Sequence, residues 1–418
     1  MDIKEVNCRP KGTIFLPPSK SIAHRALICA ALADGKSIIK NYRGSGDDID
    51  ATLGCLDSLG INFKGDNNQL IIDGRKSKIK SSQLDCRESG STLRFFIPVS
   101  MLFDLPVTLT GHTRLMERPL KEFLTALIER GAEFEFDKRT LTVKRPIKAG
   151  KFHIPANISS QFITGLLLTL PLLDGDSEII LTTPMESKAY VDLTIDVMKH
   201  FGVRIERDKD SFLVEGNQQY RPSEYLVESD FSAAAFFLVA GALGSDVRLR
   251  GLNLNSLQGD KEILNILKDC GTEVIVDEKN EIRVITDEIK PITIDVRDIP
   301  DLVPPITSLL CFAQGESKIV GAARLRMKES DRLHALASQF NILGAEIIEE
   351  RDSLIIKGVE ELKGGTVDPH NDHRIAMALA IASIRSKAAV NILNPSCVNK
   401  SYPNFWNDFC GEGKEETQ

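Results

Sequence analysis

Six short stretches of this chain set serine, aspartate, lysine and arginine directly before an apolar run. They are PPSKSIAHRAL, RESGSTLRFF, NISSQFITG, ESDFSAAAFF, IPDLVPPITS and HNDHRIAMAL. Each reads as a helix start. A helix N-terminus carries unpaired backbone N–H groups and about half a positive charge. Serine or aspartate at the cap satisfies some of those donors. Where Ser or Gly is joined there by Lys or Arg, the terminus becomes an anion site. The cations at such starts are Lys20, Arg25, Arg94 and Arg374, with Arg118, Lys328, Arg332 and Lys400 at other loop and helix starts. The chemistry they predict is anion binding.

Other chemical motifs fail when tested. ADGKS (33–37) is similar to a phosphate loop, but Ala30 stands where the first glycine is required, and GKS follows a helix. GSGDDI (44–49) lacks the third glycine of a dinucleotide fingerprint. HNDH (370–373) has no HExxH or cysteine cluster beside it, so no metal is expected. His373 reads as a capping or anion-facing histidine. There is no G-x-S-x-G elbow. The Asn-x-Ser triplets at Asn157 and Asn399 are background in a chain without a secretion signal.

The elements that carry these starts recur. LDSLGINF, LIERGAEF, MKHFGVRI, LKDCGTEV and NILGAEII each end a helical pattern at a glycine and enter a strand pattern. Their glycines, Gly60, Gly131, Gly202, Gly271 and Gly344, are 71, 71, 69 and 73 residues apart. Glycine just past a helix end is expected in the left-handed region, where a Cβ clashes. The helix starts keep the same period. Ser19, Ser89 and Ser159 are 70 apart, and Asp230, Asp301 and Asp372 are 71 apart. A strand pattern (TIFL, SQLD, KFHI, EYLV, ITIDV, GTVD) precedes each of these helices. The repeating unit is strand, helix, strand, helix, strand, strand. It occurs six times, the last copy cut short by the C-terminus. One such unit buries too little alone. Three per globule predict two α/β domains of roughly 200 residues.

Composition bounds the function. The chain has 418 residues, with 42% apolar and 27% charged, an ordinary globular balance. Aromatics are 6%, with one tryptophan, Trp406, which disfavours a base-stacking surface. The net charge of −7 argues against extended polyanions, so neither nucleic acid nor an anionic membrane is expected as partner. It is compatible with a small cationic cleft. The eight cysteines (Cys8, Cys29, Cys55, Cys86, Cys270, Cys311, Cys397, Cys410) are scattered and read as reduced buried thiols. The N-terminus lacks an apolar signal core. The apolar run 162–173 is too short for a membrane span and reads as a buried helix. A cytoplasmic location is expected.

Taken together, the motifs PPSKSIAHRAL (17–27), SGSTLRF (89–95), MERPL (116–120), SSQF (159–162), SKAYVD (187–192), IPDLVP (299–304), KESDRL (328–333), NDHRIAMA (371–378) and NKSYPNF (399–405) resemble the 5-enolpyruvylshikimate-3-phosphate synthase (3-phosphoshikimate 1-carboxyvinyltransferase) family of enolpyruvyl transferases. The resemblance covers essentially the whole chain. It implies two inside-out α/β barrels, each of three βαβαββ units around a pseudo-threefold axis. One would span 19–228; the other, discontinuous, would span 1–18 and 229–418, with the active site in the cleft between them and closure over the substrates. It implies transfer of the enolpyruvyl group of phosphoenolpyruvate to the 5-hydroxyl of shikimate 3-phosphate, in aromatic amino-acid biosynthesis. No cofactor and no metal are implied, and a monomer is expected.

By the same resemblance, shikimate 3-phosphate is held by Lys20, Ser21, Arg25, Ser159, Ser160, Gln161, Ser187, Tyr190, Asp301 and Lys328. Phosphoenolpyruvate is held by Lys20, Gly90, Arg118, Gln161, Arg332, Arg374 and Lys400. Gly90 matters for the Cβ it lacks. The substrates bring together two carboxylates and two phosphates. Like charges 4 Å apart repel by roughly 4 kcal/mol at an effective dielectric near 20, so cations must line the site. Addition and elimination need an acid and a base. The catalytic candidates are Asp301, Glu329 and Lys20. Asp301 is expected as the base, and the acid stays open between Glu329 and Lys20. Neighbouring cations should lower the proton affinity of Glu329.

Some positions depart from the family pattern. Glu88, Ser89, Gly90 and Ser91 replace Asn-Ala-Gly-Thr, Phe95 replaces Pro, and Arg324 replaces an Asn four positions before Lys328, so no substrate contact is assigned there. Glu88 leaves the response to glyphosate open. The sister transferase acting on UDP-N-acetylglucosamine should carry a loop cysteine within GHTRLMERP (111–119) and Lys-Asn in place of Lys20-Ser21; this chain has neither. A non-catalytic anion-binding repeat protein, or a relative of RNA 3′-phosphate cyclases, is a reading of another class. The cyclase would need an ATP site and a basic face.

Overall fold

The computed structural model describes residues 2–42, 46–66, 68–75, 78–137 and 139–411; Gly44 and Ser45 of the GSGDDI stretch lie outside them. The chain divides into two compact units, Pro18–Glu228 and Met1–Pro17 with Ser229–Gln418. Each has a hydrophobic core of its own.

Three inner helices organise the unit Pro18–Glu228: Lys20–Leu32, Gly90–Val99 and Ser160–Thr169. Their sequences have apolar residues on all sides, so they lack the polar stripe of a surface helix. Every residue of Gly90–Val99 except Ser91 is buried, and every residue of Ser160–Thr169 except Gln161. In Lys20–Leu32 burial runs from Ile22 to Ala31 and leaves Lys20 and Ser21 partly open. Apart from Leu32 at a helix end, the positions spared from the core are thus polar residues in the first turn. In the other unit, Phe231–Ala242 is buried except for Ser232, and Val303–Leu310 and His373–Ala382 throughout. Outer helices behave differently. Lys121–Ile128 buries Phe123, Ala126 and Leu127, an amphipathic spacing.

Four of the six inner helices cross between two strands paired in parallel, the connection that parallel pairing requires, while Lys20–Leu32 and Phe231–Ala242 join strands of different sheets. Lys151–Ile154 and Ser177–Leu181 pair in parallel across Ser160–Thr169, and Ser211–Val214 and Glu206–Arg207 follow antiparallel. The same four-strand order recurs in five of the six sheets. The predicted cap glycines adopt the expected conformation, with φ of 87° at Gly60, 95° at Gly131, 86° at Gly202, 82° at Gly271 and 96° at Gly344. The mixed α/β class follows from these repeats. Among the described residues, no helix is long and apolar enough to cross a membrane.

Two leading strands pair outside their own repeat: Gly12–Phe15, ahead of the first inner helix, pairs with Val247–Arg250, whereas Glu224–Leu226 pairs with Lys36–Lys40. Two expectations need correction. The last unit is completed: Ile3–Val6 pairs antiparallel with Val390–Leu393, beside Gly365–Val367, and fills the missing strand position. This return of the N-terminus brings Cys8 to Cys410, whose Cα atoms are 5.4 Å apart in a disulfide. These two cysteines are only half-buried and are not reduced thiols. The other six are free and buried.

Gly131 tests the cap rule because a Cβ there would meet only Lys148 Cγ at 3.9 Å. Gly131→Ala therefore isolates backbone strain from crowding. It should lower the stability of its unit by about 1–2 kcal/mol in urea denaturation.

Candidate functional site

The candidate residues fall into two sets, each within one unit. In Pro18–Glu228, helix Gly90–Val99 is capped by Ser89, whose side chain accepts from Thr92 N at 3.2 Å. Its first residue lies beside two guanidinium groups. A Cβ on Gly90 would come within 2.9 Å of Arg118 Nη1 and of Arg94 Nη1, and 3.6 Å of Gln161 Oε1. Gln161 is clamped on both sides: Arg94 Nη1 donates to its Oε1 at 3.1 Å, and its Nε2 donates to Ser91 Oγ at 2.9 Å. Gly90, Arg118 and Gln161 are thereby brought together. Arg94 and Ser91, which the site assignment lacked, complete the cradle. Ser159 caps the next inner helix through Gln161 N at 3.3 Å, with Ser160 as its buried first residue. Ser187 caps helix Lys188–His200 with φ of 57°, an uncommon left-handed value for a residue with a Cβ.

Arg25 is turned inward. Its Nε donates to Thr194 Oγ1 at 2.7 Å and Nη1 to Ser21 O at 2.6 Å. Nη2 reaches Tyr190 O at 3.0 Å and Thr164 Oγ1 at 3.4 Å. The guanidinium lies over the Phe95 ring, 5.3 Å from its centroid. Ser21 and Tyr190 thus meet Arg25 through their backbone carbonyls. Neutral oxygens and a ring face hold this cation, and burial lowers its pKa to about 10. Lys20 forms an ion pair with Asp48 at 2.7 Å. Behind them His24 Nδ1 lies 2.7 Å from Thr52 Oγ1, which lies 2.8 Å from Thr92 Oγ1. Burial pushes the pKa of His24 down to about 3, so the ring is neutral.

The second set lies in the discontinuous unit and is densely charged. Arg332, 1% exposed, donates from Nε to Asp372 Oδ2 at 2.8 Å and from Nη1 to Asp301 Oδ1 at 2.9 Å. Its Nη2 reaches Glu329 Oε2 at 2.8 Å. One guanidinium therefore holds both candidate catalytic carboxylates. Asp301 Oδ2 accepts from Arg374 Nη2 at 3.1 Å, and Lys328 Nζ is 3.6 Å from Oδ1. Lys400 Nζ lies 3.8 Å from Glu329 Oε1. Asp372 caps helix His373–Ala382 through Arg374 N at 3.0 Å. The cap is thus Asp372 and not His373, which is buried with Nδ1 3.8 Å from Asp372 Oδ1. Asp301 sits in a 3-10 turn, Pro300–Leu302, just before its helix.

Burial alone would raise the proton affinity of Asp301, but Arg374, Lys328 and Arg332 outweigh it and hold the carboxyl well below the usual range. The crowd of cations expected around Glu329 therefore surrounds Asp301 as well. Burial lowers the proton affinity of Lys328, opposed by the charge of Asp301.

Asp260 is a further carboxyl that the motifs did not reveal. It is 3% exposed, and its Oδ2 accepts from Ser232 Oγ. Burial, then the charge of Asp301, pushes its pKa up to about 7. A raised carboxyl favours the folded state below the unfolded value of 3.8, and this contribution is lost as pH rises through 7. Asp260→Asn cannot ionise. It should melt higher than the parent at pH 8, with the difference shrinking at pH 5.

Residues 6–409 match the EPSP synthase (3-phosphoshikimate 1-carboxyvinyltransferase) family model. A 3-phosphoshikimate 1-carboxyvinyltransferase of Clostridium perfringens is 47% identical over 405 residues, covering 96% of this chain and 95% of that protein. One from Clostridium kluyveri is 45% identical over 420 residues, covering 99% and 98%. Among solved structures, EPSP synthase from Acinetobacter baumannii aligns with a TM-score of 0.81 at 25% identity, covering 98% of this chain and 97% of that one. The enolpyruvyl transferase NikO from Streptomyces tendae aligns with a TM-score of 0.78 over 98% and 97%; at 14% identity it bears on the fold alone.

Proposed function

The chain belongs to the EPSP synthase family, and we infer from this that it transfers the 1-carboxyvinyl group of phosphoenolpyruvate to the 5-hydroxyl of shikimate 3-phosphate, releasing phosphate. It is a transferase of the shikimate pathway, on the route to the aromatic amino acids. The observation that carries this reading is the family match over residues 6–409, which contains every site residue named above. Both substrates are small molecules. A monomer in the cytoplasm, without nucleic acid, fits the acidic chain.

In the addition step the 5-hydroxyl oxygen bonds to C2 of phosphoenolpyruvate. Its proton passes to a base, and C3 gains a proton to become methyl. In the elimination step the C2–O bond to phosphate breaks, and C3 loses a proton as the double bond re-forms. Phosphoenolpyruvate carries its own leaving group, so the balance requires no organic cofactor. Four anionic groups must be accommodated, so cations are needed for them. The Gly90–Arg94–Arg118–Gln161 cradle suits a phosphate by its paired guanidinium donors. The expected assay result is phosphate release from phosphoenolpyruvate only when shikimate 3-phosphate is present. Turnover supported by UDP-N-acetylglucosamine instead would overturn the assignment.

Asp301 is the proposed base, and its surroundings set a condition on that role. A carboxylate held by Arg374, Lys328 and Arg332 is a weak base. Anionic substrates compete for the same three cations. As they bind, the positive potential at Asp301 falls and its proton affinity rises. The acid limb of kcat should therefore lie at higher pH than that of kcat/KM. Asp301→Ala should bind both ligands in calorimetry yet lose turnover. Retention of most activity would remove Asp301 from this role.

A further inference from the structure

The outer helices supply a second ring of contacts that the motif positions do not contain. Lys20 opens an inner helix, where the helix dipole disfavours a cation. Asp48 lies in the first turn of the outer helix Asp47–Ser58, where the dipole favours an anion. Their atoms Nζ and Oδ2 are 2.7 Å apart, with side chains 16% and 7% exposed. The backbone carbonyl of Asp48 accepts from Thr92 Oγ1 at 3.4 Å, and Thr92 is bonded to the Ser89 cap at 2.7 Å. Asp48 is thus tied to the start of the Gly90 helix as well as to Lys20. A contact of the same sequence separation occurs in the other unit, from the second helical position. Lys20 and Asp48 are 28 residues apart, and Ser232 bonds to Asp260 in the other unit across the same 28 residues.

We propose that Asp48 is the positioning residue for Lys20, fixing its ammonium at the end of the Gly90 cradle. The proposal rests on the reading of Lys20 as a substrate-binding residue and acid candidate. Two features separate this pair from an ordinary surface ion pair. Both partners are largely buried, so solvent and salt screen them little. Both sit on rigid helix starts, so little further ordering is required. The titratable groups on this helix and the elements packed against it include Asp47, Asp48 and Asp50 in the first turn of the outer helix and His24 and Arg25 on the same inner helix. Helix Lys188–His200 adds Lys188, Tyr190, Asp192 and Asp196. Strands Lys36–Lys40 and Gln69–Asp73 add Lys36, Lys40 and Asp73. Asp47 and Asp50 lie near Arg87, at 4.0 and 3.9 Å. Asp48 lies at hydrogen-bond distance from Lys20.

Asp48→Asn keeps the shape and removes the charge. Steady-state kinetics with phosphoenolpyruvate and shikimate 3-phosphate should show KM for phosphoenolpyruvate raised at least about tenfold. The loss should fall on KM more than on kcat, because the ammonium is misplaced and not removed. Asp48→Glu should restore KM. A merely structural role would lower the melting temperature and the active fraction without raising KM, and that result overturns the proposal. Lys20→Gln separates the underlying reading. If it abolishes turnover while Asp48→Asn leaves KM in place, only the role of Asp48 falls. If Lys20→Gln keeps full turnover, the reading of Lys20 falls and the proposal with it.

Discussion

A guanidinium sealed from water must be neutralised where it sits, and Arg332 shows how much of its unit is arranged around that need. Three carboxylates, Asp372, Asp301 and Glu329, approach its three nitrogens. An unpaired buried charge costs several kcal/mol, so removing any one partner leaves a penalty on the others. Asp372 is also a helix cap, which ties the ion network to the backbone of His373–Ala382. The positions of the two candidate catalytic carboxylates are thus set by a cation before any substrate arrives.

The two units hold their cations differently. In the discontinuous unit, carboxylates already neutralise Arg332 and Arg374, so an incoming anion must displace or share existing partners. In Pro18–Glu228, neutral oxygens and the Phe95 face surround Arg25. A ring face attracts a cation without cancelling its formal charge. The charge of Arg25 therefore remains available to a ligand, although its hydrogen-bond donors are largely engaged. Arg332 and Arg374 are thus held by carboxylates and Arg25 by neutral oxygens and a ring face, while Lys20, in the same unit as Arg25, is paired with Asp48.

Much of this was legible in the primary structure because local rules governed it. The glycine period marked residues that need positive φ, and all five have it. The polar clusters marked helix starts because a cap must sit one residue before an apolar run. Ser89, Ser159, Asp230 and Asp372 all cap through their side chains. What stayed hidden depends on contacts between distant segments. The partners Asp48 and Asp260 lie on outer helices, where an acidic first turn reads as an ordinary dipole match. The exchange of leading strands leaves no local mark, since TIFL and EYLV satisfy the same strand pattern, and only the family resemblance pointed to it. The approach of Cys8 to Cys410 required knowing that the N-terminus returns to the last sheet. The inward turn of Arg25 depends on Thr194 and Thr164, whose hydroxyls look like unremarked helix residues in the sequence.

That return of the N-terminus has a consequence for synthesis. The strands Ile3–Val6 and Gly12–Phe15 leave the ribosome first, yet their partners Val390–Leu393 and Val247–Arg250 are made far later. The unit Pro18–Glu228 is continuous and can close as soon as its own residues have emerged. The leading segment must wait through that event with its strand edges unpaired. The two charges of its first strand, Lys4 and Glu5 between Ile3 and Val6, suit a segment that has to stay soluble until its partner exists.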